Sequence, residues 1–356
     1  MTETTAARGN AWQRFWNRGG WWKALIAAIA YLALYQGFSI LVVGPVWGGE
    51  VEADTFSTPQ SVFFGLFLPL LFGTVALIVF VGSLDWFGPL FRRQPVRGRW
   101  WMWIAVVLVL LPIGLRLVGI DYASYGLPVV ALTFATGLLI GATEEVLTRG
   151  IAVKLLRDAG HREVVVAVIS SALFALLHAV NIFLGQPVLT VLLTMAFTFG
   201  FGMMMYLVLR ATGSLIWTIL LHGLTDPTTF LASGGIDVAH GPTDPFLTLA
   251  GPFNLVFVAA GLLALFFIRG RVGNVVNPRT AGRRMPQAGA STGRTLMSDD
   301  STAGPSAYPD QRSPYDAAAD AAAEPANDDK VFTPDDGEDA GPDDTDGLDQ
   351  SPSLRR

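Results

Sequence analysis

Residues 127–150 read LPVVALTFATGLLIGATEEVLTRG. About 20 residues rising roughly 1.5 Å each cross the ~30 Å of a bilayer core, so this stretch has the length and polarity of a membrane-spanning helix. It ends on Glu144, Glu145 and Arg149. Ionisable groups at membrane depth cost at least ~2.5 kcal/mol each on insertion scales, which makes them rare and usually functional. The pattern recurs twice further on. His178 closes the run Phe174-Ala-Leu-Leu, and His222 with Asp226 sits inside the apolar stretch 213–232. Three spans thus carry six polar residues that hydrocarbon disfavours.

Outward from these spans, the chain is a polytopic membrane protein. It has 356 residues, of which 51% are hydrophobic and 15% charged, with mean hydropathy +0.45. Soluble domains carry roughly 25% charged residues. No cysteine is present, which excludes disulfides and thiol-ligated metals. The fold class expected is all-α, a bundle of about eight transmembrane helices near 23–44, 62–84, 101–119, 127–150, 163–184, 188–209, 213–232 and 247–268. The first is too long for the apolar region of a signal peptide and has no small-residue cleavage site after it.

Charge is segregated. Residues 299–356 hold 16 acidic and 4 basic side chains, and the chain before them holds 13 acidic and 20 basic. Within the membrane part, Arg8, Arg14, Arg18 and Lys23 precede the first span. Arg92, Arg93, Arg97 and Arg99 follow the second; Lys154, Arg157 and Arg162 follow the fourth. Arg210 follows the sixth, and Arg269 and Arg271 the eighth. The alternate loops carry Glu50, Glu52 and Asp54, then Asp121, then Gly185-Gln186-Pro187, then Asp237 and Asp244. The positive-inside rule puts the basic loops and both termini in the cytoplasm, and the Trp clusters at 21–22 and 100–103 suit an interfacial belt. A bacterial plasma membrane is the expected location. Arg116 and Asp85 lie near span ends and are expected to snorkel.

Three regions follow: a cytoplasmic segment 1–22, a helix bundle 23–269 with a protease-like core at 126–232, and a tail 270–356. In the tail apolar periodicity stops and Gly, Pro, Ser, Ala and Asp dominate, a composition that cannot bury enough surface to fold alone. It is expected to be a disordered cytoplasmic tail, basic first and then acidic, whose basic part can touch anionic lipid.

The flanking charges give depth. Glu144 lies 13 residues before Arg157, His178 lies 16 after Arg162, and His222 lies 12 after Arg210. At 1.5 Å per residue these are roughly 20, 24 and 18 Å from the basic loops, so three helices bring a carboxylate and two imidazoles to a common level. Adjacent Glu144 and Glu145 point ~100° apart on a helix and serve different purposes. Arg149 lies on Glu145's own face, four residues on, and pairs with it. Glu144 has no such neighbour and is the candidate general base. Asp226 shares a face with His222 and can orient the imidazole. Pro227 frees backbone groups and is expected to open the helix locally. Gly137 and Gly141 form a small-xxx-small pair that reads as packing.

These residues resemble a known family. Glu144-Glu145-Val-Leu-Thr-Arg149 is similar to the EExxxR motif of the CAAX protease and bacteriocin-processing (CPBP, or Abi) family of intramembrane endopeptidases. Phe174-Ala-Leu-Leu-His178 resembles its FxxxH motif, and Thr212-Gly213-Ser214-Leu215 running into His222-Gly-Leu-Thr-Asp226 looks like its final signature, HxxxN or HxxxD. The resemblance implies an intramembrane peptidase of glutamate type, in which Glu144 activates a water, His178 assists it, and His222 with Asp226 forms the electrophilic side. Glu145 and Arg149 support. The last motif position, often Asn, is Asp here. An ionised Asp accepts hydrogen bonds and repels an oxyanion, so Asp226 is either protonated or orients His222 as the donor.

Two other readings stay open. Glu144, His178, His222 and Asp226 offer four ligands to a divalent metal such as zinc, with water able to replace one. A non-enzymatic membrane scaffold or immunity protein would use the same cluster to hold helices together. A transporter is disfavoured, since no paired broken helices or inverted repeat appears. The expected partners are the lipid bilayer and a membrane-associated protein or peptide substrate, with no nucleic acid.

Overall fold

The computed structural model describes residues 9–234 and 244–272, all within the first of the chain's two units, Met1–Met285. Eight long helices run through it: α1 Trp21–Glu50, α2 Pro59–Ser83, α3 Trp100–Gly119, α4 Leu127–Asp158, α5 Glu163–Ile182, α6 Val188–Thr212, α7 Leu215–Ser233 and α8 Pro245–Ala264. All eight expected spans are therefore helices. Seven are long and apolar enough to cross a membrane. The exception is α7, whose apolar face is diluted by His222, Asp226 and a run of threonines.

The helix ends follow local chemistry. Pro59, Pro128 and Pro245 occupy first turns, where a missing N–H costs nothing. The side chains of Thr58, Ser214 and Asp244 cap helix starts by accepting from backbone N–H groups. Gly213 and Gly234 close α6 and α7 at φ 70° and 76°, left-handed backbone that glycine adopts freely.

The bundle buries small polar residues within an apolar core and exposes large apolar side chains, as hydrocarbon surroundings allow. Thr133, Thr136, Thr143, Ser170, Ser171 and Thr218 are buried, while Leu41, Val79, Val107, Leu189 and Leu262 are exposed. Small polar residues let helix backbones approach and bond across interfaces. The closest pairing is α4 with α7; α6 packs on α5 and α8, α3 touches α6, α7 and α8, and α2 lies against α1 and α4.

Glycines set the α4–α7 seam. A Cβ on Gly137 would stand 2.6 Å from the carbonyl oxygen of Gly223, and one on Gly141 would stand 2.4 Å from that of Ile219. Backbone thus meets backbone. Pro227 does not open α7, which runs unbroken to Ser233. Its missing N–H leaves the Gly223 carbonyl to the seam, and Thr225, Thr228 and Thr229 donate to carbonyls four residues back, at 2.8, 2.8 and 2.7 Å.

At the arginine-rich ends the loops are bolted together. Glu163 receives Arg157 through Nε at 2.9 Å and Nη2 at 2.8 Å, and also Nη1 of Arg210 at 3.1 Å and the Tyr206 hydroxyl. Arg210 donates on to the Arg97 carbonyl at 2.9 Å, and Arg157 to Gln94. Arg157, Glu163 and Arg210 are all buried. Two arginines that mark topology in the sequence are thus also structural ligands of one carboxylate. Gly270 and Arg271, expected in the tail, are held here too: Gly270 O accepts from Glu163 N at 3.0 Å, and Arg271 Nε donates to Gly160 O at 2.6 Å. The rest of the expected tail, from 273, lies outside the described residues.

Arg116 does not snorkel. It is buried inside the bundle near the end of α3.

Candidate active site

Glu144 and Glu145 end the α-helical part of α4, and a π-helical turn, Val146–Ala152, follows at once. Such turns interrupt the regular ladder and frequently mark functional sites. Arg149 lies within it.

Glu145 and Arg149 pair as their spacing predicts, with Arg149 Nη1 3.1 Å from Glu145 Oε1 and both side chains fully buried. The guanidinium is held from several sides. Nη1 reaches Thr148 Oγ1 at 2.6 Å, Nη2 reaches the Gly202 carbonyl at 2.8 Å, and Cζ lies 4.6 Å above the Phe174 ring. Gly202 leaves room for this contact, since a Cβ there would stand 3.0 Å from Arg149 Nη2 and 3.1 Å from Ser171 Cβ and would crowd both. The guanidinium therefore ties α4 to α6 and rests on α5.

His222 comes from α7, across the glycine seam. Its Nδ1 lies 2.8 Å from Glu145 Oε1, the oxygen already bound to Arg149. A carboxylate accepts, so Nδ1 carries the proton. Nε2 faces two further carboxylates, Asp226 Oδ2 at 3.6 Å and Glu144 Oε2 at 3.8 Å. The ring stands edge-on to Phe174 and Phe201, with centroids 5.5 and 5.1 Å away. His222 is buried, whereas Glu144 and Asp226 keep 20% and 24% of their side chains exposed. Of the three carboxylates around the imidazole, the two at Nε2 are thus the partly exposed ones.

Asp226 shares a face with His222, yet the imidazole's short hydrogen bond runs to Glu145, 77 residues away. His178 sits on the 3-10 turn His178–Ile182 at the end of α5. Its Nδ1 lies 3.2 Å from the Phe174 carbonyl, which only accepts, so this nitrogen donates too. His178 lies within electrostatic reach of Glu144 but forms no hydrogen bond or ion pair with it.

Tyr31 and Tyr35 of α1 were not singled out in the sequence. Their rings stack with centroids 6.2 Å apart, and both lie within electrostatic reach of Glu144. Two tyrosines four residues apart on an apolar helix are the signal that marks them.

Among the described residues, no group of three or more His, Asp and Glu is arranged to hold a metal ion. In this arrangement Glu144, His178, His222 and Asp226 are not gathered into one metal-ligand set. A cavity of about 640 Å³ opens at the far ends of α3 and α7, lined by Ile120, Tyr125, Leu231 and Leu247; no residue of the polar cluster lines it.

The chain matches no curated protein and no solved structure. Residues 126–228, which include every residue of the cluster from Glu144 to Asp226, match the family model described as Type II CAAX prenyl endopeptidase Rce1-like, and over that segment the resemblance read from the motifs holds.

Proposed function

We propose that the protein is an intramembrane endopeptidase that cleaves membrane-associated peptides with a water activated by Glu144. One observation carries the reading: Glu145 takes one nitrogen of His222 at 2.8 Å and leaves the other facing the accessible carboxylate of Glu144. The Rce1-like match over 126–228 supports a protease of this general kind.

In this scheme Glu144 removes a proton from water as the water oxygen attacks the scissile carbonyl carbon. Nε2–H of His222 donates to the developing oxyanion, its ring fixed by Nδ1–H to Glu145 and by the flanking Phe174 and Phe201. The tetrahedral intermediate collapses, the C–N bond breaks, and Glu144 returns its proton to the leaving amine. Asp226, beside Nε2, stabilises the charged imidazole and does not itself donate to the oxyanion. His178 flanks Glu144. Arg149 holds Glu145 in place through α4 and α6. The buried site substitutes these fixed groups for solvent.

The family model's description as a CAAX prenyl endopeptidase favours prenylated proteins or peptides as the substrates. On this reading the arginine-rich side faces the cytoplasm, as the positive-inside rule favours.

The test is cleavage of a farnesylated, fluorogenic C-terminal peptide by the full chain in nanodiscs, with Glu144→Gln beside it. Gln keeps the shape and loses the basicity. Turnover by the parent and none by the variant is the expected result; equal turnover would remove Glu144 from the role.

A further inference from the structure

Arg116 is 8% exposed, and its Nη1 has no hydrogen-bond partner. Among the described residues it makes no ion pair. Arginine does not lose its proton in proteins, so a full charge is enclosed here without a direct partner. A buried charge in that condition is unfavourable unless another charge offsets it.

The helix register shows which one. α3 and α7 pack together, and both start from the arginine-rich side. Val118 of α3 and Leu231 of α7 line one cavity, and Arg116 and Asp226 lie 2 and 5 residues before them. At 1.5 Å per residue that is about 3 and 7.5 Å back along neighbouring helices, within one turn of the same depth. Asp226 lies within electrostatic reach of Arg116. The balance of the cluster points the same way. Glu144, Glu145 and Asp226 surround one imidazole, and Arg149 is the one cation their motif supplies. Arg116 is the further cation that offsets the third carboxylate.

We propose that Arg116 is the counter-charge of Asp226, a positioning residue that holds the Asp226 carboxylate beside Nε2 of His222. Asp226 then acts on the imidazole and not on the oxyanion. The pair itself is independent of any reaction; only its effect on turnover rests on the endopeptidase reading.

The test is a double-mutant cycle on the full chain in nanodiscs, with Arg116→Gln, Asp226→Asn, the double variant and Arg116→Lys. The first readout, thermal unfolding, needs no substrate. Each single exchange strands one charge and the double removes both, so the double unfolds at or above the temperature of either single. Losses that simply add overturn the pair. The second readout is the ¹⁵N resonance of His222 Nε2, assigned by its loss in His222→Gln. Arg116→Gln shifts it and Arg116→Lys largely restores it; a resonance unmoved by Arg116→Gln overturns the positioning role. The third is turnover of the farnesylated peptide. Arg116→Gln lowers kcat by about tenfold or more, as for directly coupled residues, with KM little changed, and Arg116→Lys recovers most of it. An unchanged kcat in Arg116→Gln also overturns the role. If the parent cleaves nothing, the endopeptidase reading falls, and unfolding and resonance still decide the pair.

Discussion

Nδ1 of His222 lies 2.8 Å from Oε1 of Glu145, the same oxygen that Nη1 of Arg149 reaches at 3.1 Å. One carboxylate oxygen therefore serves an ion pair within α4 and orients an imidazole from α7. Its sister oxygen, Oε2, is buried without a partner, so little can compensate when Oε1 is altered.

Glu145→Gln should act chiefly on stability. It strands buried Arg149 and loosens His222, and breaking one partner of a buried pair costs about 3–5 kcal/mol. Unfolding in detergent should show the loss directly. Glu144→Gln should unfold like the parent and be inactive. A stable, inactive Glu145→Gln beside an active Glu144→Gln would reverse the two roles.

Gly141→Ala should destabilise by about 1–3 kcal/mol or more and lower turnover with it. The new Cβ would meet Ile219 O at 2.4 Å and Gly223 N at 2.6 Å, both backbone atoms that cannot rotate away. Gly114→Ala, which meets nothing within 4 Å, is the control and should be silent on both counts.

Glu163→Gln separates scaffold from chemistry. It leaves Arg157 and Arg210 facing each other without their shared carboxylate, at a cost of about 3–5 kcal/mol. The unfolding midpoint should fall sharply while kcat per folded molecule stays at the parent value. A collapse of kcat in protein verified as folded would place this cluster in the reaction.

Reporter fusions test the orientation. A reporter inserted at Gly185 should lie outside the cytoplasm and one at His161 inside it. The opposite pattern would invert the bundle.

The spans and the Glu145–Arg149 pair were legible because helical periodicity and i,i+4 spacing are local signals. The bond between Glu145 and His222 was not, since nothing within a few residues of either announces a partner 77 positions away. Asp226 looked like the orienting group because it is near in sequence, and the α4–α7 packing brought a closer one. Arg157 and Arg210 were read as loop charges; a charge count says which side of the membrane they favour and nothing about Glu163. Arg116 was read as snorkelling because it lies near a span end, but the packing of α7 and α8 around α3 encloses it. The Gly137/Gly141 pair was rightly read as packing, although its partner, the residue next to His222, could be found only in three dimensions.

The seam of Gly137 and Gly141 against α7 also constrains traffic. Two helices that touch main chain to main chain have no side chain between them to swing aside, so they part only as whole bodies. Parting them would pull His222 off Glu145. A peptide approaching Glu144 through the bilayer therefore has no doorway between α4 and α7. On the endopeptidase reading its route lies along other flanks of α4, which leave the imidazole's support intact.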